Sequence, residues 1–467
     1  MNRFFRIDMR VLVRLRNTLK RLQIRRLYNR GWMDAAREHG LKEIDRQNSN
    51  REFAQDIVIR CYFNQCDWES VIDFADQNQD FDSMDYVTRA RRKIISDVSY
   101  VGPEPALHKE KVWNGDNLLM NWYQEDQRLW LRHPWGWVYW DMPQKFELED
   151  TAPSLLHLAL EVLLSPWIPE TKYWEVPARE PGTELALSYS GGIDSTAAAL
   201  LLPVDTFLAY HQRDFESMLD HSIPKNTFQV IWEKMGREVL CVPSNHERIR
   251  LFHDLSVGFS TANAAGVHLI LLADHLKLRG IAFGTPIDNT WLKSGRVYRD
   301  FSKSHYWKYW SGQFSKAGLS YVLPINHISE AGALEICRQS SIADAVNSCL
   351  RGKAGIWCGE CWKCFHKNGP LGRKISPNSK EINTFLTTKP LRTAQHALWA
   401  LQVQGLEDLA PHLRQYISGD LSWWAKAYRP GLDLIPEPWN IHVETKTLEF
   451  LGWMDPPLSL EAVNLDF

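Results

Sequence analysis

Two groups of residues in this 467-residue chain have types and spacings that could do chemistry. The first lies in ALSYSGGIDSTAAALLLP, residues 186–203, where an apolar strand runs into Ser190-Gly191-Gly192-Ile193-Asp194-Ser195 and then into a helix of small residues. Gly191 and Gly192 permit conformations and close approaches that a Cβ would block. Backbone N–H groups at the start of the following helix attract anions, and Ser190 and Ser195 can donate further hydrogen bonds to phosphate oxygens. Asp194 would repel a phosphate unless a cation stood between them, so its presence implies Mg2+ on a nucleotide tail. No lysine follows in the GxxxxGKS/T register, which excludes the loop of the common NTPases. The alternative is a helix-capping Asp-Ser turn after a glycine bend.

The second group is Cys349-x8-Cys358-x2-Cys361-x2-Cys364, with glycines at 352, 355 and 359. Four thiolates so spaced suit a tetrahedral, closed, structural Zn2+ site. An iron–sulfur cluster and a redox pair are the other chemistries open to them. Cys61, Cys66, Cys241 and Cys337 are scattered and read as small buried apolar residues.

On the SGGIDS residues the chain resembles the N-type ATP pyrophosphatases. Their SGGxDS loop grips the β and γ phosphates while ATP is cleaved between α and β. Followed by the four-cysteine knuckle, the loop resembles the 7-cyano-7-deazaguanine synthase branch, which adenylates a carboxylate and converts it with ammonia. The resemblance implies an adenine-nucleotide α-hydrolase-like parallel-sheet core, ATP with Mg2+, and a C–N bond-forming ligase that releases AMP and pyrophosphate. It carries catalytic roles onto Asp194 and Ser195, and nucleotide contacts onto Ser190, Gly191, Gly192, Asp194 and Ser195. Weaker echoes are Tyr210, Gln212, Arg213 and Glu216 in AYHQRDFE, and Gly284-Thr285, of which Tyr210, Gly284 and Thr285 would stand on the nucleotide side.

The resemblance covers less than half of the chain, and the family's Tyr-Pro-Asp-Cys-Arg segment is missing. In its place stands KSGRVYRDFSKSHYWKYWSGQFSKAG, residues 293–318. Arg296, Arg299, Asp300, Lys303, His305, Tyr306 and Lys308, beside Trp307 and Trp310, could clamp an anionic or planar substrate. Arg299 and His305 are the catalytic candidates, His305 as a proton shuttle. The competing reading is an amphipathic helix with a solvated basic face and a tryptophan core stripe. Lys353, Lys363 and Lys367 could lean over phosphates, but surface lysines are the expectation. A more distant likeness is to the ATP-dependent epimerases of a glutamate-containing cell-wall precursor, whose loop has lysine where Ile193 stands. Deazaguanine-synthase relatives with added domains occur in bacterial anti-phage systems, so a nucleotide-binding scaffold without turnover is the non-enzymatic alternative.

These residues need elements to hold them. Within a domain expected over 181–370, residues 184 to about 345 alternate strand and helix (strand 184–190, helix to Leu202, strand 204–210, helix 215–235, strand 237–243, helix 262–278, strand 281–285), which predicts a parallel sheet with the site at its carboxyl edge. Residues 1–99 space apolar residues as helical hairpins do, with Phe4, Val11, Leu15, Leu19 and Leu22 expected to pack the first helix on the next. Residues 100–180 read as a small antiparallel meander, rich in Trp113, Trp122, Trp130, Trp135, Trp137 and Trp140. A helix over 154–164 covers it and a proline-rich linker follows. Residues 371–467 read as a helical tail. The fold class is α/β, with a zinc-knuckled parallel-sheet core between these flanking regions.

A net charge of −2 argues against nucleic acid as a partner, and no apolar run reaches the length of a membrane span. The first thirty residues carry ten Arg or Lys and no signal-peptide core, which predicts a cytoplasmic protein. The expected partners are a small-molecule or protein-terminal carboxylate substrate, a protein docking on the N-terminal helices, and a second copy in a homodimer.

Overall fold

Leu185, Ala186 and Leu187 are buried side by side in the strand that leads into the glycine turn, so that strand is covered on both faces. It lies inside an eight-stranded sheet of a computed structural model. The structure describes residues 9–465 apart from 31, 47–48, 66, 82, 84–85, 88–89, 92–102, 214–220, 254, 350 and 418, and the side chains of the first helix from Arg16 onward. Phe4, Cys66, Glu216 and the side chains of Val11 and Leu15 therefore lie outside the described residues.

The strands are β1 Trp122–Glu125, β2 Arg128–His133, β3 Gly136–Asp141, β4 Glu184–Ser188, β5 Phe207–Arg213, β6 Val239–Ser244, β7 Leu278–Phe283, β8 Leu292–Lys293, β9 Val297–Tyr298 and β10 Ser320–Val322. The sheet order is β1-β2-β3-β6-β5-β4-β7-β10, and β8 and β9 form a separate hairpin. From β6 to β10 every pairing is parallel, while β1, β2 and β3 are antiparallel. From β4 the chain first adds β5 and β6 on one side, then returns to add β7 and β10 on the other. In such mixed α/β sheets the crevice between the diverging strands, here β4 and β7, is where ligands are held.

The chain forms two compact units, Met1–Val101 with Ile249–Gly258, and Gly102–Arg248 with Phe259–Phe467. The first contains α1 Met9–Asn29, α2 Met33–Asp45, α3 Arg51–Asn64 and α4 Trp68–Gln77. Ile24 packs with Ala36, Ile57 and Cys61, flanked by Leu27 and Tyr28. Asn17 bonds Ser49 and Lys20 pairs with the buried Glu43. Residues 17, 20, 24, 27 and 28 are one helical face. Leu19 and Leu22, expected on the packing side, point the other way and are exposed.

In the second unit the tryptophan-rich meander is not separate from the α/β region. β3 pairs with β6 at Trp140 and Ser244, and Trp122, Trp130, Trp137 and Trp140 are core. Nor is the proline-rich stretch a free linker, because Trp174 is buried and Arg179 bonds the carbonyl of Leu278. The helices are α5 Pro153–Leu164, α6 Ile193–Leu201, α7 Ser222–Met235, α8 Val267–Leu271, α9 His305–Lys316, α10 Glu330–Gln339, α11 Lys380–Thr387, α12 Ala394–Gln404 and α13 Trp439–Phe450. The helix predicted over 262–278 is a 3-10 turn followed by the short α8, and β7 starts at Leu278 instead of 281. Buried Glu161 of α5 accepts from Trp174 Nε1 at 2.9 Å and Gln313 Nε2 at 2.9 Å, and from Tyr309 OH. One face of α9 is thereby consumed in packing. The tail beyond 371 packs on the same unit, with Trp424 and Tyr428 buried and Tyr428 OH 3.1 Å from Tyr298 OH. Among the described residues no helix is long and apolar enough to cross a membrane.

Candidate functional site

β4 ends at Ser188 and α6 begins at Ile193, so residues 189–192 must turn the chain from strand to helix. Gly191 makes that turn at φ +71°, and a Cβ there would stand 3.0 Å from Pro224 Cα and 3.1 Å from Phe228 Cε1. Both the dihedral and the contact call for glycine. The hydroxyls close the turn: Ser190 N–H donates to Ser195 Oγ at 3.2 Å, the two serine Oγ atoms are 2.9 Å apart, and Ser195 Oγ donates to Gly192 O at 3.1 Å. Gly284, just after β7, meets α6 from the other strand of the crevice. A Cβ on it would lie 2.9 Å from Ser195 Cα.

The turn opens on a cavity of about 480 Å3. Ser190, Gly191, Gly192, Asp194, Ser195, Tyr210, Gly284 and Thr285 all line it, so the structure brings these eight sequence-derived positions together. Cys349 lines it too. Tyr210 is held by its hydroxyl, 2.8 Å from His221 Nδ1, and burial pushes it up to about 12. Arg213 lines the same cavity with its Nε donating to Glu247 at 2.8 Å. Gln212 is half-buried and outside the lining.

Arg299 and His305 are not among the described residues that line the cavity. The Arg299 guanidinium donates to the carbonyls of Thr290 at 2.7 Å and Asn289 at 3.0 Å, closing a loop. His305 is exposed and stacks on Tyr309 one turn away. Lys303 pairs with Asp300 at the surface, and Trp310 is buried. Segment 293–318 is thus a capped amphipathic helix with its preceding hairpin, and none of its residues is among the described residues that line the cavity.

Lys367, expected at the surface, is buried. Its Nζ stands 2.9 Å from Asp194 Oδ1 and 2.7 Å from Glu330 Oε2, with 5% of the side chain exposed. Burial alone would depress it, but Asp194 and Glu330 outweigh burial and raise it, so it stays charged. Glu330 is held below its usual range by Lys367 and His396, against its burial. Asp288, whose Oδ2 accepts from Glu330 N–H at 2.8 Å, is pushed well above the carboxylate range by burial and by Glu330. Lys363 also lines the cavity, over the Trp362 ring, whereas Lys353 is exposed. Nothing local in the sequence marks Glu330 or Asp288; Lys367 had a signal, standing one turn after Cys364.

The sulfurs of Cys349, Cys358, Cys361 and Cys364 lie within 4.8 Å of one another, a set that could hold a metal ion. Donors already point at them: Cys358 N–H and Arg351 N–H at Cys349 Sγ (3.2 and 3.4 Å), Cys364 N–H at Cys361 Sγ (3.4 Å), and Asn368 Nδ2 at Cys364 Sγ (3.3 Å). Such donors stabilise thiolates, and the all-sulfur set fits zinc. Hydrogen bonds from the other three thiols hold Cys349 far below the ordinary thiol range. Cys61 and Cys337 are buried, and Cys241 is half-buried. Glu330, His366 and His396 form a second close group, all buried, but the Lys367 ammonium already balances the Glu330 charge.

Residues 309–457 match a family described as a family of unknown function (DUF6395). The match spans Glu330, Lys367 and the four cysteines, covers under half of the chain, and leaves out the glycine turn. No curated protein and no solved structure matches the chain.

Proposed function

We propose that the cavity binds ATP as its Mg2+ complex and that the protein cleaves it between the α and β phosphates. AMP passes to a carboxylate, or a comparable amide or carbonyl oxygen, of a second substrate, for amidation or a similar displacement. One observation carries this reading: the Ser190–Ser195 turn, with Gly191 at φ +71°, faces the cavity at the β4–β7 crevice together with Gly284 and Thr285. The likeness to the N-type ATP pyrophosphatases, and within them to the deazaguanine synthases, supplies the reaction class.

In this reading the N–H groups of the first turn of α6 other than that of Ile193, which donates to Ser348 Oγ, hold the departing pyrophosphate with the hydroxyls of Ser190 and Ser195, and Lys363 adds positive charge. Asp194 is the carboxylate placed to share a cation with the phosphates. Mg2+, when bound, would add to the charge of Lys367, which already pairs with Asp194 Oδ1, so that carboxylate and phosphate can stand together. Lys367 keeps Asp194 paired and aimed. His211, Arg213 and Phe259 line the same cavity and are open to an acceptor.

The test is incubation of the full chain with ATP, Mg2+ and a panel of carboxylic acids with ammonia, resolving nucleotide products. AMP with pyrophosphate is the expected outcome. ADP with phosphate sinks the α-phosphate reading. ATP binding without turnover, in a cell extract and unchanged by Asp194→Ala, would replace the enzyme with a nucleotide-binding scaffold.

A further inference from the structure

We infer that Ser348 and Lys367 are positioning residues that make the geometry of the glycine turn depend on metal occupancy of the four cysteines. They stand at the two ends of the cysteine segment, Ser348 just before Cys349 and Lys367 one turn after Cys364. Each holds one part of the turn. Ser348 Oγ accepts the Ile193 N–H at 3.2 Å, at the first residue of α6. Lys367 Nζ donates to Asp194 Oδ1 at 2.9 Å from a buried position.

The two ends are joined to the sulfurs and to each other. Asn347 Oδ1 accepts the Cys349 N–H at 2.9 Å, and Asn368 Nδ2 reaches Cys364 Sγ at 3.3 Å and Asn347 Oδ1 at 3.5 Å. Arg373 donates to Val346 O at 2.7 Å and Asn368 Oδ1 at 2.8 Å, across the same join. A third tie runs from inside the segment, where Ala354 N–H donates to Ser222 Oγ at 3.0 Å. Ser222 opens α7, whose Pro224 and Phe228 stand against Gly191.

A divalent ion held by the four sulfurs would bond both ends of the segment directly, in addition to the Asn347, Asn368 and Arg373 hydrogen bonds that join them. Without it those hydrogen bonds alone hold the ends, and the acceptor for Ile193 N–H and the cation on Asp194 are held less firmly. Metal binding at the cysteines is therefore read out at the turn. The inference rests on the phosphate-loop reading for its meaning but not for its measurement.

The experiment follows amide hydrogen exchange over residues 188–196 of the full chain in three states: zinc-loaded, stripped with a mercurial and chelator, and reloaded. Binding of Mg2+ with α,β-methylene-ATP, which cannot be cleaved between α and β, is measured alongside. Stripping is expected to speed exchange at the turn and weaken the analogue, each about tenfold or more, as befits loss of a charge-assisted hydrogen bond, and reloading to restore both. Residues 128–141 of β2 and β3 serve as the internal reference. Should stripping also release those strands, zinc-loaded variants decide. Lys367→Met and Ser348→Ala, each still holding one equivalent of zinc, must speed exchange at the turn, and Lys367→Arg must recover part of the loss. A turn that stays protected in stripped, folded protein, or in zinc-loaded Lys367→Met, overturns the inference. Exchange reports the tie whether or not ATP is the ligand, so a failed AMP assay and a failed tie are separate results.

Discussion

Lys367 Nζ lies 2.9 Å from Asp194 Oδ1 and 2.7 Å from Glu330 Oε2, so one buried ammonium joins the glycine turn to α10. Removing it leaves Glu330 charged and buried. Lys367→Met is expected to destabilise the protein by about 3–5 kcal/mol, the usual result of breaking one side of a buried pair. Adding Glu330→Gln should recover most of that loss. Denaturant unfolding of the two variants and the parent checks this, and a double variant no more stable than Lys367→Met refutes it.

Two glycines at the site tolerate no side chain for different reasons. Gly191→Ala forces a left-handed dihedral on alanine and a contact with Pro224, at a cost of about 1–3 kcal/mol. Gly284→Ala places a Cβ 2.9 Å from Ser195 Cα, so α6 must move away from β7. Both variants should fold and lose binding of the nucleotide analogue by about tenfold or more, a shift of 1.4 kcal/mol. Unchanged affinity, measured by calorimetry, would separate the turn from the ligand.

Arg299 and His305 provide the contrast. Arg299→Ala removes two hydrogen bonds to backbone carbonyls and should lower stability by about 1–3 kcal/mol. His305→Ala, at an exposed position, should fall within about 0.5 kcal/mol of the parent. Neither should change AMP formation per folded molecule. A large loss of turnover in folded His305→Ala would bring segment 293–318 back into the chemistry.

Stability should fall on mild acidification. Burial lowers His268 to about 4 and His327 to about 3, below the ordinary value near 6.5. Between those values the unfolded chain binds protons that the folded chain does not, so the stabilising contribution is complete above about pH 6.5 and is lost as pH falls toward 4. Each imidazole can contribute a slope of up to about 1.4 kcal/mol per pH unit. Urea unfolding at pH 7, 6, 5 and 4 measures it. His268→Leu should flatten the profile, and an equally steep one would assign the loss to other groups.

Much of the site was legible because its signals are local. SGGIDS encodes a left-handed turn, a helix start and two hydroxyls within six residues, and dihedral preference acts at that range. C-x2-C-x2-C likewise confines its thiols whatever surrounds them. The strand–helix alternation over 184–244 was readable from periodicity alone, with boundaries moving by up to seven residues, at the start of α7.

Tertiary structure decided what lies far apart along the chain. It set Lys367 and Glu330 behind Asp194, 173 and 136 residues downstream, and closed the cysteine segment against the glycine turn. It joined the tryptophan meander to β6 through one pairing at Trp140, which no composition or spacing announces. It also left Lys303, His305 and Lys308 exposed, while Glu161 draws Tyr309 and Gln313 of α9 onto α5. A basic aromatic helix looks the same in sequence whether it clamps a ligand or packs on a neighbour. The sequence by itself determined which groups could meet a phosphate and a metal; only the fold chose which charges neutralise one another in the buried interior, because pairing there is decided by burial and register across the sheet.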